Sequence, residues 1–395
     1  MLRKIQRSLV MFALLSMALP ASANWEETLG ALWKETKAQA GELNKELKEK
    51  FKPKGPVEIG IAYGTEKQKW LEWAVTEFAK TEDGKKVKVN LIPMGSVDGA
   101  EAILKKDKRI HVWSPASSVV QELLVEPWQK EMGKDPIISD APLVLTPMVI
   151  VMWEERAKAF LEKYNEITFK TIGQALAEQT GWAAIANKPE WGAFTFGYTR
   201  PTHSNSGLMA LVLMAYDYLN VNRNIKSEQI METNFLTWLK ATQENMSADE
   251  DSTGKLMDEM LRFGPSKLNA AIVYENLALS SIQTAEGRWG KLKIVYPARS
   301  AWNDNPYYIL DVPWSNAEQQ TAAKLFQSFL LSKPAQKVAR DQYLFRPASL
   351  DLPILEAGSS FEKLKDIVQV DVNTVKRPSA AVLNGLLQVW KKNNK

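Results

Sequence analysis

Four short stretches of small hydroxylic residues and glycine are candidates for a binding site, because each joins a predicted strand to a predicted helix. They are Gly64-Thr65, Gly95-Ser96, 114–118 and 202–207. In parallel α/β sheets ligands bind at the carboxyl ends of strands, where each helix N-terminus offers free backbone N–H groups and about half a positive charge. Several such termini around one cleft can hold an anion without lysine or arginine. Serine and threonine are also ordinary N-caps, so the prediction rests on the set of four.

Composition and motifs argue against catalytic chemistry. The 395 residues contain no cysteine, which excludes thiolate metal sites and a cysteine nucleophile, and only two histidines, His111 and His203. No nucleophile elbow, P-loop or H-E-x-x-H motif occurs, and two S-x-x-K matches at Ser252 and Ser360 are short enough to arise by chance. We therefore predict no enzyme, with no catalytic residue, no cofactor and no metal. An exported hydrolase is the alternative, since a Ser-His-Asp triad leaves no fixed order in a sequence.

The N-terminus has the three-part layout of a secretory signal peptide. Residues 1–7 are basic, 8–19 are apolar, and Ala21-Ser22-Ala23 forms an A-x-A pattern. The apolar run is shorter than the ~20 residues of a membrane span, which disfavours the alternative of an uncleaved anchor. We predict cleavage after Ala23 and a periplasmic protein.

The net charge disfavours a nucleic-acid partner. Lys and Arg total 50, Asp and Glu total 46, and loss of the three basic residues in 1–23 lowers the net charge from +4 to +1. Nucleic-acid-binding proteins usually carry a basic surplus. We expect a chain that binds no nucleic acid, and the absence of cysteine suits a periplasm.

Two kinds of pattern follow the signal. Residues 24–54 are dense in charge and carry a broken helical stripe, which predicts a helical spacer or, alternatively, a docking helix for a partner or a membrane surface. From Val57 onwards strands and helices alternate with short connections, which predicts an α/β fold. A long apolar run at 143–153 predicts a buried strand, and 208–218 predicts a strong helix. The pattern also predicts a strand at 194–198, helices that begin near 99, end at 124 and span 228–243, and a polar loop at 247–254.

The order of these motifs resembles the type II periplasmic solute-binding proteins. The resemblance is carried by Tyr63-Gly64-Thr65, Met94-Gly95-Ser96, Val112-Trp113-Ser114, 143–153, 201–207, 271–275 and the Phe345-Arg346-Pro347 turn. The layout is closest to the molybdate/tungstate group. Residues 200–207 and 262–264 also resemble a branch that accompanies von Willebrand factor A domains, although no such domain is in this chain.

The resemblance implies a two-lobed clamshell, to which this chain adds an N-terminal helix. Lobe one would comprise 55–146 and 301–375, lobe two 147–300, and a C-terminal helix 376–395. A ligand that contacts both lobes would favour the closed state, which reports occupancy to a membrane transporter.

The resemblance also places a ligand site between the lobes. Thr65, Ser96 and Ser114 would line lobe one, with Thr65 and Ser96 donating hydroxyl and backbone N–H groups. The lobe-two lining would be Ser204, Asn205, Ser206, Gly207 and Tyr274. Ser206 and Gly207 would present a helix N-terminus, and Tyr274 would donate its phenol.

The predicted function is binding of a small solute, an anion on the helix-terminus argument, by a monomer that delivers it to a transporter permease. Trp113, Trp191, Trp289 and Trp302 lie near predicted loops. If they lined the cleft they would favour a sugar or another organic ligand, and otherwise they pack the lobes. A further alternative is a sensor or scaffold in an envelope complex, which the helix-like segments 24–54 and 380–390 support.

Two remaining features bear on the kind of ligand. Tyr307-Tyr308 is similar to the paired tyrosines of ferric-iron binders, but strand alternation would send the two rings to opposite faces. His203 flanks the serine-rich turn, where it is either a surface residue or a pH-sensitive hydrogen-bonding group.

Overall fold

The computed structural model describes residues 51–349 and 351–394. The predicted signal peptide (1–23) and all but the last four residues of the spacer (24–54) lie outside this part. The described chain forms two α/β lobes, each built on its own sheet. No helix in residues 51–349 or 351–394 is long and apolar enough to cross a membrane.

Eleven strands are present in the described residues: β1 Val57–Tyr63, β2 Val87–Pro93, β3 Val112–Ser114, β4 Ile137–Ser139, β5 Val144–Trp153, β6 Phe196–Gly197, β7 Ala270–Tyr274, β8 Leu292–Val295, β9 Trp302–Asn303, β10 Tyr308–Leu310 and β11 Arg346–Pro347. The predicted strand at 194–198 is only two residues long. Short 3-10 helices lie at Thr65–Lys67, Gly84–Lys86, Ser118–Gln121, Pro189–Trp191 and Gly264–Ser266.

The α-helices of the described residues begin with α1 Gln68–Phe78, α2 Ser96–Leu104, α3 Glu122–Met132, α4 Glu154–Tyr164, α5 Phe169–Ala177, α6 Trp182–Ala186, α7 Asn205–Leu219 and α8 Ser227–Ile230. They continue with α9 Thr233–Glu244, α10 Thr253–Phe263, α11 Glu275–Ser280, α12 Ile282–Glu286, α13 Ala317–Leu330, α14 Lys333–Tyr343, α15 Ser360–Lys363 and α16 Ala380–Asn393.

Lobe one surrounds a five-stranded sheet of order β2-β1-β3-β10-β4. Its first three strands pair in parallel, as the alternating strand and helix pattern predicts, and β10 pairs antiparallel with both β3 and β4. Parallel pairing brings the carboxyl ends of β1, β2 and β3 to one edge. The junctions at Gly64, Gly95 and Ser114 therefore lie side by side at that edge.

Lobe two is organised by β5, the strand predicted from the apolar run at 143–153. All ten β5 residues are buried, and β5 pairs antiparallel with β7, β8, β9 and β11. A strand buried on both faces is almost entirely apolar, which explains the run, and the one polar side chain, Thr146, accepts a hydrogen bond from the Asn276 N–H. The boundaries of the lobes at 146/147 and 300/301 remain a prediction.

Tyr307 and Tyr308 point to opposite faces of lobe one, as strand alternation predicts. Tyr307 packs in the cluster with Ile59, Trp70 and Phe326, whereas Tyr308 packs in a second cluster with Trp113. The hydroxyl of Tyr307 donates to the Ala323 carbonyl, so the two tyrosines share no ligand site.

Some helix bounds differ from the sequence prediction for reasons visible in the packing. Helix α2 begins at Ser96, about one turn before the predicted start near 99. Helix α3 runs to Met132 rather than ending at 124, because Trp128 lies on its buried face and continues the core contact. The helix predicted at 228–243 is divided into α8 and α9.

The C-terminal chain is tied to lobe two beside Tyr274. The Arg346 guanidinium donates to both oxygens of Glu275 at 2.6 and 2.8 Å, and both side chains are buried. Such bidentate pairs are the strongest and most directional ion pairs in proteins. The last helix, α16, then packs on α7 and donates from Trp390 Nε1 to the Tyr198 hydroxyl at 2.9 Å.

We expect His111 to make the protein sensitive to mild acid. Its Nδ1 accepts from the Gly60 backbone N–H at 3.0 Å, and burial lowers the pKa of His111 below its ordinary 6.5. The unfolded chain then binds a proton before the folded protein does as pH falls. The free energy of unfolding should therefore decrease below about pH 6.5.

The measurement is urea denaturation at about pH 7.5 and about pH 5.5. The variant His111→Asn keeps an acceptor near Gly60 but does not titrate in this range. It should lose less stability between the two pH values than the wild type. Equal losses in both proteins would show that His111 is not the group responsible.

Candidate functional site

The two lobes meet where the carboxyl edge of the lobe-one sheet faces the N-termini of α7 and α10. Neither α7 nor α10 is capped by the side chain of its N-cap residue, Ser204 and Ser252 respectively. The start of α10 lies against Thr65, because a Cβ on Gly254 would be 3.1 Å from Thr65 Oγ1. The start of α7 lies beside that of α10, so the positive ends of two helix dipoles of lobe two lie close to the Thr65 junction of lobe one.

The first contact between the lobes fills the N-terminus of α2. The His203 carbonyl oxygen of lobe two accepts from the backbone N–H groups of Val97 at 3.0 Å and Asp98 at 3.3 Å. His203 Nδ1 also lies 2.7 Å from Asp98 Oδ1. The first turn of α2, directly after the predicted Gly95-Ser96 junction, therefore donates to the opposite lobe. The predicted donation from the Ser96 backbone N–H to a ligand remains a prediction.

Gly95 permits this approach. A Cβ at position 95 would lie 2.8 Å from the carbonyl carbon of His203 and closer still to its oxygen. The close approach therefore requires glycine at this position. The contact also makes His203 half-buried rather than a free surface residue.

The second contact joins the Thr65 junction to α10 and α11. Asn276 Nδ2 donates to the Glu66 carbonyl at 3.2 Å, and a Cβ on Gly254 would lie 3.1 Å from Thr65 Oγ1. With the His203 contact, this shows the lobes in a closed arrangement.

Ser96 supports lobe one from within. Its hydroxyl accepts from the Ala116 backbone N–H at 3.0 Å and so connects the second junction to the third. Ser96 is buried by this contact. The structure thus gives Ser96 a structural bond and leaves its predicted contact with a ligand untested.

The start of α7 is held by a chain of hydroxyl groups. Ser206 Oγ lies 2.7 Å from Thr199 Oγ1 and 2.6 Å from Thr253 Oγ1, and Ser204 Oγ is 3.3 Å away. Gly207 lets the helix lie against the preceding chain, since a Cβ there would be 2.8 Å from Pro201 N. These contacts fix the N-termini of α7 and α10 next to each other.

Asn205 connects α7 to the strands between the lobes. Its Nδ2 donates to the Tyr274 hydroxyl at 3.0 Å and to Asn303 Oδ1 at 2.9 Å. Asn303 Nδ2 in turn donates to the Thr146 carbonyl of β5 at 3.1 Å. Tyr274 thus accepts from Asn205, and its predicted donation to a ligand is not tested by this geometry.

Four buried polar atoms at this interface have no hydrogen-bond partner within the described residues. They are Thr65 Oγ1 and Ser114 Oγ of lobe one, and Asn205 Oδ1 and Ser252 Oγ of lobe two. An unpaired buried polar group costs about 1–3 kcal/mol, so native proteins rarely keep several together without a water or ligand. Three of the four were predicted as site residues, and together they are the best-defined candidate for contact with a solute.

A buried ion pair lies beside these atoms. Glu66 pairs with Lys67, whose ammonium is fully buried and also donates to Asn305 Oδ1 at 2.9 Å. Burial lowers the pKa of Lys67, and the charge of Glu66 opposes this effect. The Glu66 carboxylate lies close to the backbone of Gly64, where a Cβ would be 2.5 Å from both carboxylate oxygens. Lys67 is therefore not available as a free cation for a ligand.

The four tryptophans considered for a sugar site have other neighbours. Trp113 is 1% exposed and packs on Tyr308 at 5.5 Å between ring centroids. Trp191 stacks under the Arg156 guanidinium at 3.4 Å, and Trp302 lies near Arg346. Trp289 is exposed and donates to the Leu261 carbonyl. Trp113 and Trp191 therefore contact other side chains of their own lobe, and Trp289 lies at the surface.

Sequence reasoning missed part of the site. Glu66, Ser252, Thr253 and Asn303 were not predicted, although Ser252-Thr253-Gly254 before an amphipathic segment is a helix-start signal. The composition of 247–254 predicts only a polar loop. Asn303 carried no local signal.

Fold and site together define a two-lobed binding protein of the type II periplasmic class. The model of the family described as bacterial extracellular solute-binding protein matches residues 59–344, more than half of the chain. The chain belongs to this family, whose members are solute-binding proteins and not enzymes. A search of the curated proteins finds no match.

Solved structures share the fold at low sequence identity. The sulfate-binding protein SubI from Mycobacterium tuberculosis is 16% identical with a TM-score of 0.54, over 82% of this chain and 96% of that one. AfuA from Actinobacillus pleuropneumoniae, with fructose-6-phosphate bound, is 16% identical with a TM-score of 0.57, over 86% and 99%. Iron-bound HitA from Pseudomonas aeruginosa is 14% identical with a TM-score of 0.56, over 86% and 100%. These likenesses establish the fold alone.

We expect Gly95→Ala to prevent closure without unfolding either lobe. Gly95 has φ −61° and ψ 150°, values that alanine adopts freely, so the substitution disturbs only the contacts with His203 and the Asp251 carbonyl, both in lobe two. The free variant should show a larger radius of gyration in small-angle X-ray scattering than the wild type. Gly287→Ala is the matched control, since its nearest neighbour would be 3.5 Å away. A radius of gyration unchanged by Gly95→Ala would contradict the closing contact.

Proposed function

We propose that this chain binds a small solute between its lobes and is exported to the periplasm to do so. The observation that supports this most directly is the group of four buried, unpartnered polar atoms, two from each lobe. A solute that satisfies atoms on both lobes stabilises the closed state, which is the energetic requirement for ligand-driven closure.

We propose that the solute is an anion. The N-termini of α7 and α10 both face the interface, and the hydroxyls of Thr65, Ser114 and Ser252 can donate to it. No cationic side chain is needed for this, and Lys67 is neutralised by Glu66. The resemblance to the molybdate/tungstate group, which remains a prediction, concerns the layout of the fold and does not identify the anion.

Delivery to a transporter permease completes the proposal. Solute-binding proteins of this class present the closed form to a membrane partner, and closure here changes the relative position of surfaces on both lobes. The predicted cleavage after Ala23 would release residues 24–395 into the periplasm as a monomer.

A scaffold or sensor role is the second candidate, and one observation favours it. A cavity of about 320 Å³ lies between α2 of lobe one and α16, with Ala100 and Leu387 in its wall and Glu101 and Lys391 beside them. A protein partner seated there would contact both lobes. The sugar alternative has weaker support, because the tryptophans are engaged in packing.

The test of solute binding is a thermal-stability scan of residues 24–395 against oxyanions, sugars, amino acids and metal ions. A solute at 100-fold over its dissociation constant stabilises the folded state by about 2.7 kcal/mol. We expect the stabilising compounds to be anions. A scan in which no compound shifts the melting temperature would favour the scaffold.

Ser114→Ala and Thr65→Val then test the position of the site. Each should weaken binding of a stabilising anion about tenfold, because each removes one hydrogen bond of about 1–1.5 kcal/mol. Neither should lower the free energy of unfolding, since neither hydroxyl bonds to a protein group in the described residues. Ser315→Ala is the control: its hydroxyl is also buried and unpartnered, but it lies beyond β10, away from the interface. An unchanged affinity in both site variants would contradict the placement.

A further inference from the structure

The orientation of the Asn303 amide is fixed by backbone atoms. Its amide nitrogen faces the carbonyl oxygens of Thr146 at 3.1 Å and Ala301 at 3.4 Å. Carbonyl oxygens only accept, so the nitrogen must be on that side. Asn303 Oδ1 therefore points towards Asn205.

The orientation of Asn205 follows from that of Asn303. An acceptor at Asn303 Oδ1 requires the Asn205 amide nitrogen to face it, at 2.9 Å. The second Nδ2 proton of Asn205 goes to the Tyr274 hydroxyl at 3.0 Å. Both donors of Asn205 are used, and Oδ1 is left fully buried with no donor among the described residues.

The Glu66 carboxylate is a second acceptor-only group in the same region. It is 7% exposed, and its charge raises the pKa of the Tyr274 phenol, although burial contributes more. The unpartnered hydroxyls of Thr65, Ser114 and Ser252 can either donate or accept. Asn205 Oδ1 and the ionised carboxylate can only accept.

We propose that the solute donates a hydrogen bond to Asn205 Oδ1 from an N–H or O–H group of its own. The protein then selects anions that retain a proton or carry a hydroxyl or amino group, and rejects fully ionised oxyanions such as sulfate and molybdate. The inference rests on the proposed anion binding and restricts its chemistry. A site with a buried acceptor discriminates strongly against ligands that leave the acceptor unpaired.

The experiment compares pairs of ligands in which only one member carries a hydrogen-bond donor. Inorganic phosphate and sulfate are both tetrahedral, but only phosphate carries an O–H at neutral pH. Lactate and propionate share a carbon skeleton, and only lactate has a hydroxyl. Isothermal titration of the wild-type protein should show that the donor-bearing member of a bound pair binds at least about tenfold more tightly.

Two adverse results are distinguishable. If sulfate or propionate binds as tightly as its partner, the donor inference is overturned and anion binding stands. If neither member of either pair binds, anion binding fails and the inference fails with it.

Asn205→Ala adds a test on the protein side. It removes the acceptor, so any anion that still binds should lose the preference for a donor. Ser315→Ala, with an unpartnered hydroxyl away from the interface, should keep the wild-type preference. A preference that persists in Asn205→Ala would assign the discrimination to another group and overturn the role of Asn205. The comparison of ligand pairs on the wild type remains decisive if this variant does not fold.

Discussion

The hydrogen bond from Asn303 to the Thr146 carbonyl is the constraint on which the interface depends. It connects β9 to the long buried strand β5 and determines which atom of Asn303 faces lobe two. Asn205 at the start of α7 must then present its amide nitrogen to Asn303 and its oxygen to the interface. The orientation of both amides at the interface thus follows from one backbone acceptor.

Closure combines contacts of two kinds. The His203 carbonyl oxygen accepts from two backbone N–H groups at the N-terminus of α2, a contact made entirely by protein atoms. The four unpartnered atoms nearby gain nothing from closure until a solute or water meets them. The protein contact aligns the lobes, whereas the solute supplies the remaining hydrogen bonds. This division of roles explains why one helix N-terminus is filled by protein while two others are uncapped.

Much of the fold could be predicted from the sequence because its signals are local. The apolar run of β5 and the junctions after β1, β2 and β3 are each visible within about ten residues. Thr65 and Ser114 follow from those junctions, and Asn205 follows from the serine-rich turn before α7. The contact between the Gly95-Ser96 junction and lobe two could not be predicted. Its partner, His203, is more than 100 residues away and contributes a backbone carbonyl, which carries no sequence signal. The role of Asn303 depends on pairing with Thr146, 157 residues distant.

The central claim is that Asn205 Oδ1 and Ser114 Oγ face a bound solute between the lobes. The most direct measurement is the electron density at this interface in crystals of the protein purified without unfolding. The account predicts a solute, or a water in its place, within about 3 Å of both atoms. Density that shows a protein donor bonded to Asn205 Oδ1, with no solute or water beside Ser114, would contradict it.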